Sequence, residues 1–154
     1  MTYTLNYIKA QVLQALRYHF IKQSEIKVLM IVVNIYAIVT AVLLFMKKIR
    51  PEPFLLGSLL WIVLMLFFWY ILPNTFYRKT ELFKYSWQFS FTSIGANLQG
   101  QEGEASWEWK ELSHYFESPD FFHFYFGPKT FFLIPKQNIS MEDQHEIRGI
   151  LNNY

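Results

Sequence analysis

The side chains that could do chemistry are four histidines, His19, His114, His123 and His145, and six closely spaced acids, Glu102, Glu104, Glu108, Glu111, Glu117 and Asp120. Imidazole and carboxylate are the materials of general acid–base catalysis and of zinc sites. The spacing supports neither use. The histidines are scattered, no HExxH places two of them on one helix face, and no other compact ligand spacing replaces it. The acids are numerous enough to supply a carboxylate pair, yet no nucleophile or oxyanion-binding glycine motif accompanies them. GxGxxG, the P-loop and GxSxG are absent. With no cysteine in the chain, disulfides, Cys-ligated zinc, thiol catalysis and iron–sulfur clusters are excluded. The expectation is a non-enzyme with no catalytic residue, no cofactor and no metal site. The acids then read as a solvated face, and His123, alone in an aromatic strand, as a core or rim residue. A net charge of +2 gives no long-range attraction to nucleic acid, so none is expected as a partner.

These residues sit in a chain of 154 that is 53% hydrophobic, 20% aromatic and only 17% charged. Soluble domains average about 25% charged, and disordered chains are poor in aromatics. The deficit is local. Val28–Met46 runs for 19 residues without a charge, and Pro53–Leu72 for 20. A hydrocarbon core of about 30 Å needs roughly 20 apolar helical residues. Two transmembrane helices are therefore predicted, at 28–46 and 53–72, joined by the six-residue linker KKIRPE into an antiparallel hairpin over 27–72. Trp69 and Tyr70 stand near the end of the second span, where amphipathic rings favour the membrane interface. Asn34 is expected to hydrogen-bond across the hairpin or to a partner. Asn34, Thr40 and Ser58 are too few to line a pore. Seven Lys or Arg lie close to the spans on the terminal side (Lys9, Arg17, Lys22, Lys27, Arg78, Lys79 and Lys84), against three in the linker. That bias places both termini of a multi-pass membrane protein in the cytoplasm. No cleavable signal peptide is expected before the first span.

The other 115 residues carry all 26 charges, about 23%, which is ordinary for a soluble domain. Phe83, Tyr85, Trp87, Phe89 and Phe91 alternate with polar residues over 83–92, a strand with one buried face. Ile94-Gly95 breaks it, and Ala96–Gln99 can pair back or continue. Gly100–Gly103 reads as a hairpin loop, Glu104–Lys110 as a strand with Trp107 and Trp109 on one face, and Leu112–Glu117 as another. FFHFYF (121–126) and TFFLI (130–134) follow, separated by Gly127-Pro128-Lys129. Turns at such intervals indicate an antiparallel sandwich or barrel. The last helix, 140–152, has Ser140 as N-cap, Asp143 in the capping-box position, and Ile147, Ile150, Leu151 and Tyr154 as its apolar stripe. Within residues 1–26, Tyr3, Leu5 and Tyr7 form a short strand expected to join the C-terminal sheet, since isolated strands are unstable. Lys9–Phe20 is amphipathic through Val12, Leu13, Leu16 and Phe20. It reads either as a helix at the membrane surface, with Arg17 and Lys22 suited to anionic headgroups, or as a packed connector.

The expected architecture is thus an α+β membrane protein: residues 1–26, a transmembrane helical hairpin, and a small β domain over 73–154 closed by a C-terminal helix. This order resembles the YcxB-like bacterial membrane proteins. Three segments carry the resemblance: YTLNYIKAQVLQALRYHF, WKELSHYFE at Trp109–Glu117, and FFLIPK at Phe131–Lys136. The resemblance implies a pleckstrin-homology-like C-terminal domain and brings no catalytic residues. A phosphoinositide site would need clustered Lys and Arg, but Ser93–Asp120 holds six acids against Lys110. What remains is contact with membrane lipids through the spans, together with a protein partner or self-association: a protein-interaction or regulatory module with no binding residue assigned. The alternative is a sensor that holds a small apolar ligand or lipid in the β domain and signals through the hairpin. It is motivated by residues 121–126, which are apolar on both faces.

Overall fold

The computed structural model describes residues 2–101, 103–127 and 130–153. Glu102 of the expected hairpin loop, Pro128 and Lys129 of the expected turn, and Tyr154 of the expected stripe lie outside them. The chain divides into two compact units, Leu16–Lys79 and Met1–Ala15 with Thr80–Tyr154.

Helix α1 (Lys9–Lys22) stops at Gln23, whose extended ψ of 131° separates it from α2 (Ser24–Phe45). After α2, Lys47 adopts a left-handed φ of 55°, and its amide and that of Lys48 bond back to Leu44 and Leu43. This is a left-handed helix cap on a residue with a Cβ. Helix α3 (Pro51–Leu66) begins on Pro51, whose missing amide costs nothing in the first turn. It continues through a π-turn, Phe67–Ile71, into α4 (Leu72–Lys79). Helix α2 starts four residues before the charge-free stretch 28–46 and ends one residue short of it, and the second run, Pro51–Lys79, overruns 53–72 at both ends, because backbone hydrogen bonding does not stop where charge begins. Ser24–Phe45 and Pro51–Lys79 are long and apolar enough to cross a membrane. Only 11% and 6% of their most apolar stretches are buried, unlike the core helices of a soluble globule.

The two helices pack as an antiparallel pair. The Trp61 indole donates to Asn34 Oδ1 at 3.2 Å, while Asn34 Nδ2 donates to the Met30 carbonyl at 2.7 Å. Tyr36 Oη donates to the Pro53 carbonyl at 3.2 Å, and its ring lies over Gly57, where an added Cβ would come within 2.5 Å.

The other unit is built from two antiparallel sheets. In the first, β1 (Thr2–Leu5), β2 (Trp87–Phe91), β3 (Gly95–Gly100) and β4 (Gly103–Glu108) lie in that order. In the second, β5 (His114–Glu117), β6 (Phe121–Tyr125) and β7 (Phe131–Pro135) do the same. Helix α5 (Met141–Leu151) follows, with the Ser140 hydroxyl accepting from the Asp143 amide at 3.1 Å. Inward residues of both sheets and of α5 meet in one core that includes Leu5, Phe89, Leu98, Trp109, Phe122, Phe124, Ile134, Ile147 and Leu151. Trp107 stacks on Phe132 at 5.0 Å and Trp109 meets Phe124 edge-on at 5.6 Å, which joins the sheets.

Several boundaries differ from the expected ones, two of them at core aromatics. The alternation over 83–92 does not begin as strand: Glu81–Phe83 is a 3₁₀ turn, and the ladder starts at Trp87. Phe83 is buried edge-on to Tyr7 at 5.3 Å, and the Trp87 indole donates to the Leu82 carbonyl, so local contacts fold this segment back. Trp109 likewise leaves the strand. β4 ends at Glu108, and a 3₁₀ turn at Trp109–Glu111 carries a capping box between Glu108 and Glu111. The turn drops the Trp109 ring into the core, where its indole donates to the Thr92 carbonyl at 2.8 Å.

The N-terminal strand lies at the edge of the first sheet, Thr2 opposite Ser90 and Leu5 opposite Trp87. Side chains stitch it to the C-terminal part of the unit. Tyr7 Oη donates to the Leu133 carbonyl at 2.9 Å, Asn138 Nδ2 to the Thr4 carbonyl at 2.6 Å, Gln137 Nε2 to the Asn6 carbonyl at 3.0 Å, and Tyr3 Oη to Asp143.

Candidate functional site

The structure does not gather the histidines into a site. His19 is buried in α1 beside Gln23, His114 stacks on Tyr125 at 4.3 Å, and His145 is exposed on α5. His123 is fully buried, with Nε2 3.0 Å from Ser118 Oγ and its ring 3.9 Å from that of Phe116. Among the described residues no group of three or more His, Asp or Glu is placed to hold a metal ion.

The acids are partly used by the fold itself. Glu104 accepts from Asn97, Glu108 pairs with Lys110, and Glu111 accepts from the Glu108 amide. Glu117 is the hub of an ionic clamp. Arg148 reaches it with Nε at 2.9 Å and an Nη at 2.7 Å, and Lys136 reaches it at 2.8 Å. Both cations also lie 5.7 Å from the Phe122 ring centroid. Hydrogen bonds from Arg148 foremost, and then Lys136, hold the Glu117 carboxyl down to about 2. Since β5, the segment after β7 and α5 each supply one partner, the clamp is structural. Burial alone pushes the Tyr125 phenol up to about 12, and that of Tyr7 further above its ordinary value.

All five residues of β6 are buried, as its double-sided aromatic sequence requires. Phe122 and Phe124 belong to the shared core. On the opposite face, rings of neighbouring strands cover the strand: His114 and Phe131 against Tyr125, and Phe116 against His123.

The arrangement best suited to receive a ligand lies in the helical unit, and it starts from a proline. Pro73 has no amide hydrogen, so it cannot give the Trp69 carbonyl the bond an α-helix supplies from four residues on. The backbone responds with the π-turn, in which the Leu72 amide bonds to the Phe67 carbonyl. Arg17 Nε then donates to the Trp69 carbonyl at 3.0 Å, with the guanidinium 5.1 Å from the Trp69 ring and 5.8 Å from that of Tyr70. Phe20 meets Phe76 edge-on one turn along. Beside this junction runs a groove of about 530 Å³. Ile26, Met30 and Ile31 of α2 form one wall, Met65 and Phe68 the other, and Ile21, Lys27 and Trp69 complete the lining. The sequence reading matched Arg17 to headgroups but missed its bond to Trp69. Pro73 within the helical run marks the Trp69 carbonyl as short of a donor, whereas which residue supplies one is decided by tertiary packing.

Residues 97–151, about a third of the chain, match the family of YcxB-like proteins. WKELSHYFE and FFLIPK lie inside that stretch, and the N-terminal segment YTLNYIKAQVLQALRYHF lies outside it. No curated protein and no solved structure matches the chain.

Proposed function

We propose that the protein is a multi-pass protein of a bacterial plasma membrane, both termini cytoplasmic, whose helical hairpin displays a small non-catalytic β domain that docks or regulates another protein. In this reading the two sheets and α5 form the pleckstrin-homology-like domain that the YcxB-like resemblance implies. The single observation that carries it is the pairing of β1 with β2, strands that flank the whole helical hairpin in sequence. A plain anchor needs one chain connection. Here both connections of the hairpin lead into neighbouring strands of one sheet, so a change in tilt or association of the helices is delivered to that sheet. The face offered to a partner is the acidic one after Ser93, which an anionic leaflet would repel at about 1 kcal/mol per charge. The alternative ligand site in the β domain draws no support from β6, whose second face is already occupied by rings.

Site-specific photo-crosslinking in cells tests this. A crosslinker at Glu104 or Glu108 is expected to trap one discrete protein, and charge reversal at the other position is expected to abolish the adduct. No adduct from either position, with the protein running as a lone monomer, would refute the docking role. Reporter fusions at both termini and within residues 47–52 test the orientation.

A further inference from the structure

We propose that the groove between α2 and the α3–π-turn segment is a site for one anionic phospholipid, its acyl chain between the apolar walls and its phosphate held by Lys27 and Arg17. The inference rests on the membrane reading above and goes beyond it, because a hairpin in a bilayer needs no lipid of defined charge. The volume of about 530 Å³ falls within the range of about 300–1,000 Å³ typical of ligand sites. Ile31 and Trp69 in its lining are 57% and 45% exposed, so the groove is open, and its Ile, Met and Phe walls suit an acyl chain.

Charge selects among such occupants. The charged residues of the helical unit at this end of the hairpin are Arg17, Lys22, Lys27, Arg78 and Lys79, with Glu25 as the sole acid. Lys27 lines the groove, and Arg17 is fixed on Trp69, which lines it too. Its Nε is used by the Trp69 carbonyl and its plane is held near two aromatic rings, so the guanidinium is oriented before any ligand arrives. Its outer Nη donors are the ones suited to a phosphate. Basic residues beside an apolar crevice at the cytoplasmic end of helices are the chemistry that retains acidic lipid headgroups. A zwitterionic lipid offers the same chains and phosphate, but its own cation offsets the attraction.

Native mass spectrometry of the full-length protein released from nanodiscs of equal phosphatidylglycerol and phosphatidylcholine tests the site. The wild type is expected to keep a single phosphatidylglycerol about tenfold over phosphatidylcholine. Lys27→Gln should bring the two lipids to near parity, and Lys27→Arg should keep the preference. Met30→Trp, which fills the groove without touching charge, should lose the bound lipid altogether. Equal retention of the two lipids by the wild type, an unchanged preference in Lys27→Gln, or a lipid-free dimer closed over the groove would each overturn the proposal. Carbonate extraction separates this from the wider reading: release of the protein from membranes would refute the hairpin's insertion, whereas resistance combined with equal lipid retention refutes the site alone.

Discussion

Glu117 shows how the fold turns an acid that looked available into one that is committed. Alone on a strand it would be a solvated carboxylate, but Arg148 and Lys136 both close on it, and its affinity for a proton falls to about 2 from an ordinary value near 4.5. A carboxyl whose folded value lies below its unfolded one stabilises the fold above the unfolded value and loses that contribution as pH falls toward the folded value. The clamp should therefore hold fully above about pH 5 and weaken between roughly pH 4.5 and 2. The side chain is 29% exposed, so screening keeps its worth at neutral pH near 1 kcal/mol. Thermal melts of the full chain in micelles should show Glu117→Gln less stable than wild type at pH 7, with the two converging as pH approaches 3. Parallel curves across that range would mean that the clamp contributes nothing. Asn34 is the residue-scale counterpart within the hairpin: a polar side chain among apolar neighbours predicts a bond across the helices, and Trp61 supplies it.

The elements were legible where a period repeated and illegible where tertiary contacts cut it short. The alternation of Phe89 and Phe91, the fully apolar β6 and the Ser140 cap each dictate their element locally, because each pattern satisfies its own backbone or buries its own face. Phe83 and Trp109 continued a strand pattern, yet both sit in 3₁₀ turns, since Tyr7, the Thr92 carbonyl and Phe124 lie far away in sequence. The π-turn is a mixed case. Pro73 makes a broken register necessary, and Arg17 decides how the break is tolerated. A double-mutant cycle follows. Arg17→Ala should destabilise the full chain by about 1–2 kcal/mol, because a peptide carbonyl loses a charged donor. Pro73→Ala restores the missing amide and allows regular α-helix, so adding Arg17→Ala to it should cost distinctly less. Melting midpoints of the four proteins in one detergent give the coupling, and strict additivity would show that the arginine serves only its ring contacts.

At the scale of the molecule, the defining fact is that the helical hairpin interrupts a sheet. Leu5 stands opposite Trp87, and beyond them the Ser86 hydroxyl donates to Asn6 Oδ1 at 2.8 Å, so the chain leaves the β unit and returns to it at adjacent points. The alternation of Tyr3, Leu5 and Tyr7 announces the strand and its need of the C-terminal sheet, but not which strand it meets. An edge strand without a nearby partner demands one somewhere, but its register is set by the side chains that meet there: Tyr3 on Asp143, Asn138 on Thr4, Tyr7 on Leu133. All of those contacts lie within the β unit. Joining Ala15 directly to Thr80 through about six Gly and Ser residues, a length common for hairpin connections, removes only the helical unit and should therefore give a soluble protein that folds without the hairpin and melts cooperatively. Omitting residues 2–8 from the same protein removes the buried Leu5, a loss of about 2–5 kcal/mol for such a side chain. It also bares the edge of β2, which invites aggregation. The first protein should be monomeric with β-rich circular dichroism, and the second should precipitate or lack a sigmoidal transition. If both behave alike, β1 is a passenger on the sheet, and the hairpin's two connections cannot transmit anything through it.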